Sequence, residues 1–196
     1  MIPEDNIKKR GGRGLERVGE RKQRVDKKVE IKPTLSLDFK KEFYTFAELC
    51  NEPVKEIAER LCIKGMISDF IIDSIRKWFR RDYKYSPIIG RSHNKIAFGE
   101  EERPKLKITL QGDTGKITMR LVKEEYDQLA ELAYALDLTP SSTVAVLLRM
   151  TTKNIEFMNQ FVDGLRHLNG AQIKEVKRFA SRTWGIQFHG GISGWN

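Results

Sequence analysis

Between Lys116 and Leu121 the chain alternates strictly: Lys116, Thr118 and Arg120 are polar, while Ile117, Met119 and Leu121 are apolar. Period two marks a strand with one covered face and one exposed face. Directly after it, Tyr126, Leu129, Ala130, Leu132, Ala133 and Leu136 recur at three and four, which predicts a helix. The chain turns at Asp137-Leu138-Thr139-Pro140, and Thr139 followed by Pro140 is a cap and first residue for a second helix. Val144, Leu147 and Leu148 then face inward. A strand and two helices of this size cannot bury their apolar faces alone. Something else must supply a partner strand and the other half of the core.

Two segments can meet that need. Leu106, Ile108 and Leu110 alternate with Lys105, Lys107 and Thr109, and Gln111-Gly112-Asp113-Thr114-Gly115 is rich in turn residues, so 105–122 reads as a hairpin. Alternatively, residues 31–37 place Pro33, Leu35 and Leu37 against Lys32, Thr34 and Ser36, a second short strand. Pro33 lacks an amide hydrogen and belongs near the start or edge of that strand. Asp38 is a candidate cap for the helix that follows, with Phe39, Phe43, Phe46, Ala47 and Cys50 on its apolar face. Pro53 either breaks that helix or opens another, Ile57, Ala58, Leu61 and Cys62 continue the apolar face, and Gly65 ends it. Ser68 or Asp69 then starts a helix through Phe70, Ile72, Ile75 and Trp78.

The run Lys116-Ile117-Thr118-Met119-Arg120-Leu121, with Glu124, Glu125, Tyr126, Leu129, Leu132, Ala133, Leu138-Thr139-Pro140-Ser141-Ser142, Val144, Leu147 and Leu148, resembles a ribbon-helix-helix module over residues 116–154. The resemblance implies that strands from two modules pair antiparallel, that four helices form the core, and that the ribbon enters the DNA major groove. Residues 34–37 and the stretch Gly65 to Trp78 resemble a second, degenerate copy. It differs in having Ser36 where the other copy has Arg120, in Pro33, and in extra chain around Pro53. Two modules in one chain give a pseudodimer, similar to the tandem single-chain ribbon-helix-helix proteins of conjugal transfer; one module alone requires an intermolecular dimer. The expected fold is therefore mainly α with a short β-ribbon. The expected divisions are a basic flexible arm (1–30), the degenerate module (31–85), a linker (86–104) with one short strand near Ile96, the second module with a preceding strand (105–154), and a helical extension with a glycine- and aromatic-rich tail (155–196). In the extension, Ile155 to Leu168 reads as one helix closed by Asn169-Gly170, and Ile173, Val176 and Ala180 as another.

The resemblance implies base contacts from Lys116, Thr118 and Arg120, and from Lys32, Thr34 and Ser36 in the other copy. Arg bonds guanine edges, and Thr bonds bases or meets a thymine methyl. Phosphate contacts are expected from Thr139, Ser141 and Ser142 at a helix start, from Ser68 in the degenerate copy, and from Lys8, Lys9, Arg10 and Arg13 in the arm. For Ser141 and Ser142, ordinary helix capping is the competing reading.

Charge agrees with a polyanionic partner: the 196 residues hold 36 Lys and Arg against 27 Asp and Glu, a net charge of +9. Residues 1–32 alone carry 11 basic and 6 acidic side chains. The segment Arg76–Lys107 is a further expected source of phosphate contacts. Little points to catalysis. There is no glycine-rich loop ending in Gly-Lys-Ser or Gly-Lys-Thr, no His-Glu-x-x-His, and His93, His167 and His189 lack ligand spacing. Tyr83 and Tyr85 lack the histidine and acidic partners of a strand-cleaving tyrosine. Cys50 and Cys62 read as small buried hydrophobes. No enzymatic activity, cofactor or metal is expected, and no apolar run suits a membrane. The expected partners are double-stranded DNA, a second copy of the chain, and another protein at the C-terminal extension, in the cytoplasm. The expected role is an accessory factor in plasmid or mobile-element transfer, partition or replication, with a transcriptional repressor or a protein-only adaptor as alternatives.

Overall fold

The structure, a computed structural model, describes residues 28–86 and 94–187. In chain order the elements are β1 (Val29–Ile31), β2 (Thr34–Ser36), α1 (Leu37–Leu49), α2 (Val54–Ile67), α3 (Asp69–Ile75), β3 (Tyr83–Tyr85), β4 (Lys95–Ala97), β5 (Thr114–Lys116), β6 (Met119–Leu121), α4 (Lys123–Leu136), α5 (Pro140–Lys153), α6 (Ile155–Asp163) and α7 (Gly170–Trp184). The described chain is thus mainly helical, with short antiparallel strand pairs. No helix among the described residues is long and apolar enough to cross a membrane.

The strand at 116–121 finds its partner far upstream. β6 pairs with β1 and β5 with β2, both antiparallel, with Ile31 opposite Met119 and Thr34 opposite Lys116. The two registers are the same, so one ribbon joins 29–36 to 114–121. Pro33 interrupts it. The Ile117 amide donates to the Pro33 carbonyl at 3.4 Å, but Pro33 has no hydrogen to return. The hairpin expected at 105–122 does not form. Residues 105–110 run without strand pairing, and Leu106 packs against the edge of the core. Alternation there reflects one covered face, and coverage does not require a neighbouring strand.

The two strand-helix-helix units repeat at one spacing. Leu37 and Lys123, which begin α1 and α4, are 86 residues apart, as are Val54 and Pro140, which begin α2 and α5. The buried residues of α2 (57, 58, 59, 61, 62, 65 and 66) and of α5 (143, 144, 145, 147, 148, 151 and 152) match one for one at that offset. So do the left-handed residues that turn the chain between helices, Asn51 (φ 52°) and Asp137 (φ 56°). Asn and Asp tolerate that backbone better than other residues with a Cβ. The offset also relates Lys32 to Thr118, which face each other in the ribbon, so the pairing has the symmetry of a local dyad between them.

This repeat corrects the expected boundaries and alignment of the first unit, in which Thr34 and not Ser36 stands where the second has Arg120. The first unit's second helix is α2 at 54–67, and the residues around Pro53 are the inter-helix turn itself. The α1 cap is Ser36, whose hydroxyl accepts the Phe39 amide, and Asp38 sits in the first turn. Gly65 does not end a helix. It lies inside α2, where α2 crosses α5, and a Cβ there would come 2.9 Å from the Thr151 methyl. Positions 65 and 151 are repeat equivalents, so the helices meet close to the dyad.

The β3–β4 pair and α7 lie on the sides of α4 and α1, while α3 packs against both α2 and α5. The β3–β4 hairpin places Tyr83 under α4's neighbour α2, where the tyrosine hydroxyl donates to the Met66 carbonyl at 3.0 Å, and Arg80 bonds the Ala135 carbonyl at the end of α4. β4 lies within the stretch expected to be linker. At the other side α7 lies on α1: the Trp184 ring is 4.9 Å from Phe46, and its indole donates to Glu42. Asn169-Gly170 starts α7 instead of closing α6, because Asn169 accepts the Ala171 and Gln172 amides.

The crossing yields a test. Gly65→Ala gains about 1 kcal/mol of helix propensity, but overpacking a buried site costs about 1–3 kcal/mol. Net destabilisation of about 1 kcal/mol is expected in denaturant unfolding. Thr151→Ser removes the opposing methyl, so Gly65→Ala introduced on that background is expected to be neutral or stabilising.

Candidate nucleic-acid interface

The inner face of the ribbon is apolar. Ile31, Pro33, Leu35, Ile117, Met119 and Leu121 are all buried. Alternation then turns Glu30, Lys32, Thr34 and Ser36 to the other side, along with Thr114, Lys116, Thr118 and Arg120. Cross-strand neighbours on that side are Glu30 with Arg120, Lys32 with Thr118, Thr34 with Lys116, and Ser36 with Thr114. The six residues expected to contact bases therefore share one surface. Lys32, Lys116, Thr118 and Arg120 are exposed, and Thr34 is half-buried. Ser36 sits at the ribbon's end, and its hydroxyl serves as the α1 cap.

Sequence reasoning missed Glu30, which was assigned to the arm. Its carboxylate lies 2.6 Å from the Lys32 ammonium and 3.2 Å from the Arg120 guanidinium. The Lys32 hydrogen bond, and then Arg120, hold the Glu30 carboxyl below the ordinary range. The signal that could have located it was the alternation itself, extended one step upstream of Ile31. A second acid supports the ribbon from behind: Glu59 of α2, largely buried, accepts the Arg120 amide at 2.8 Å. That bond satisfies a backbone donor on the free edge of β6.

The expected phosphate groups divide. Thr139 caps α5, accepting the Ser142 amide at 3.2 Å and donating to the Ser142 hydroxyl at 2.9 Å. Ser141 donates to the Lys32 carbonyl at 2.8 Å and so ties the start of α5 to the ribbon. Capping and anchoring thus occupy these three hydroxyls as donors or acceptors. Pro140 has no amide hydrogen, which leaves the Thr139 and Ser141 amides for an anion. Ser68 follows the last residue of α2 and stands at the start of α3, about 20 Å along α2 from that helix's own start. The equivalent start in the first unit is Pro53-Val54-Lys55-Glu56, with an acid in the first turn. Lys8, Lys9, Arg10 and Arg13 lie outside the described residues.

Much of the basic segment 76–107 is engaged within the protein. Lys105 at 2.6 Å, Arg80 at 3.1 Å and Arg81 at 3.7 Å surround the Asp137 carboxylate in the α4–α5 turn. They hold its carboxyl below the usual value, Lys105 most strongly. Arg103 pairs with Glu100, and Lys95 with Asp69 at 2.7 Å. Cys50 and Cys62 are fully buried, and desolvation pushes the Cys50 thiol up to about 12 and raises Cys62 as well. They pack as small apolar groups. Tyr85 donates to Asp69 at 2.8 Å, so both tyrosines of the hairpin are structural.

Comparison of the chain with protein-family models, curated proteins and solved structures finds no match.

The support from Glu59 can be measured. Glu59→Ala is expected to cost about 1–2 kcal/mol by removing a charged acceptor, and to speed hydrogen exchange at the Arg120 amide. Glu59→Gln keeps an acceptor oxygen and is expected to retain most of the protection. Equal exchange in all three proteins would show that the bond contributes nothing.

Proposed function

We propose that this chain is a sequence-preferring double-stranded DNA-binding protein of the ribbon-helix-helix kind, its two modules forming a pseudodimer within one chain. The observation that carries this reading is that Lys32, Lys116, Thr118 and Arg120 stand exposed, with Thr34 half-buried beside them, on one face of a two-stranded ribbon whose reverse face is core. A ribbon of that width fits the major groove, about 12 Å across, where each base pair presents a distinct set of donors and acceptors. The 86-residue repeat supports the pseudodimer, because strand, both helices and the turn between them recur together.

Base contacts set preference, and phosphate contacts set much of the affinity. With Arg80, Arg81 and Lys105 held by Asp137, the phosphate contacts fall to the start of α5 and the basic residues that precede residue 28. Assignment to plasmid or mobile-element transfer, partition or replication, in preference to repression, rests on the chain beyond the second module, residues 155–196, which a minimal repressor does not need.

Gel-shift titrations on a selected duplex and a scrambled one, at several salt concentrations, test the reading. Affinity is expected to fall steeply with salt, with a slope of about −0.9 for each phosphate neutralised. Arg120→Ala is expected to cost about tenfold on the selected duplex, within the about 1–3 kcal/mol of a bidentate contact, and much less on the scrambled one. Equal losses on both would remove Arg120 from base readout. Absence of salt-dependent binding would favour the protein-only adaptor.

A further inference from the structure

We infer that the chain reads a non-palindromic DNA site, and that the Glu30–Arg120 pair determines specificity at one end of it. This rests on the DNA-binding reading above and extends it to the chemistry of the site.

A dyad-symmetric ribbon made from two identical chains presents the same residues at both ends, so its preferred site is a palindrome. Here the dyad relates Glu30 to Lys116, Lys32 to Thr118, and Thr34 to Arg120, and none of these pairs is alike. The backbone is symmetric while the surface it presents is not. One end carries a carboxylate and a guanidinium side by side, 3.2 Å apart. The other carries a hydroxyl and an ammonium, Thr34 opposite Lys116.

These two ends match different base edges. Guanine offers the O6 and N7 acceptors to Arg, and cytosine offers its N4 amino group to a carboxylate. Glu30 and Arg120 together therefore complement a G·C pair, or neighbouring G and C. Thr34 and Lys116 offer a neutral hydroxyl and an ammonium, with no carboxylate to select the cytosine amino group. The carboxylate also acts against wrong sequences. In the free protein Lys32 and Arg120 satisfy it. In the groove it faces a polyanion, and only a cytosine amino group repays the approach. The helix starts repeat the asymmetry, since the first turn of α5 has no acid while that of α2 has Glu56, with Glu52 just before it.

Selection from a random duplex pool with the full chain tests this, followed by the same selection with Glu30→Gln. Glu30 is exposed on the surface, so the variant is expected to fold. The native chain is expected to enrich a motif that differs from its own reverse complement, with G·C at one end, and to bind it with one chain per duplex. Glu30→Gln is expected to lose about tenfold of the preference at that end while binding scrambled duplexes more tightly. Lys116→Gln is expected to alter the opposite end only. A palindromic motif bound by two chains, or an unchanged motif with Glu30→Gln, overturns the inference and leaves DNA binding standing. No enrichment at low salt overturns DNA binding itself.

Discussion

The antiparallel pairing of 29–36 with 114–121 is the constraint on which the rest of the structure depends. Each strand covers an apolar row on one side and offers a polar row on the other, and among the described residues neither has another strand to bond. Joining them supplies both sets of backbone partners and brings two helix pairs together over the apolar side. The helices α2 and α5 then cross closely, with Gly65 against Thr151. Because both units lie on one chain, the association costs only the closure of the intervening loop, which grows slowly with length. The elements outside the repeat follow from this arrangement. The segment at 79–85 and helix α7 lie against α4 and α1, the first helices of the two units.

The second unit was legible in the sequence because its signals are local. Alternation at 116–121, spacing at three and four from Tyr126 to Leu136, and Thr139-Pro140 each specify an element without reference to distant residues. The first unit carries the same design in less readable form. Its helix start is Pro53, with no side-chain cap, and its first-helix core is Phe43 and Phe46 where the other has Leu129 and Leu132. Gly65 looked like a stop because glycine commonly follows a helix. Its actual requirement is a close approach by a residue distant in sequence, which no local pattern encodes. The alternation at 105–110 misled for the related reason that period two reports coverage and does not name the element that covers.

The candidate surface was legible in the same unequal way. Alternation placed Lys116, Thr118 and Arg120 in one row and Lys32, Thr34 and Ser36 in another, and register then set the two rows side by side. Total charge was a poorer guide. The cluster at Arg80, Arg81 and Lys105 reads in sequence as a basic patch, yet it encloses Asp137 and steadies the turn between α4 and α5. Glu30 works in the opposite direction: one acid at the edge of a basic arm changes the electrostatics of the whole ribbon face. What matters for recognition is which charges the fold leaves facing outward, and in what pairs.

Photo-crosslinking reports on that most directly. A benzoyl-phenylalanine placed at Thr118, near the centre of the exposed face, should crosslink to bases of a bound duplex. The same group at Tyr134, exposed on the outer side of α4, should not. Crosslinks from position 134 with none from 118, on a duplex that the protein demonstrably binds, would contradict the account.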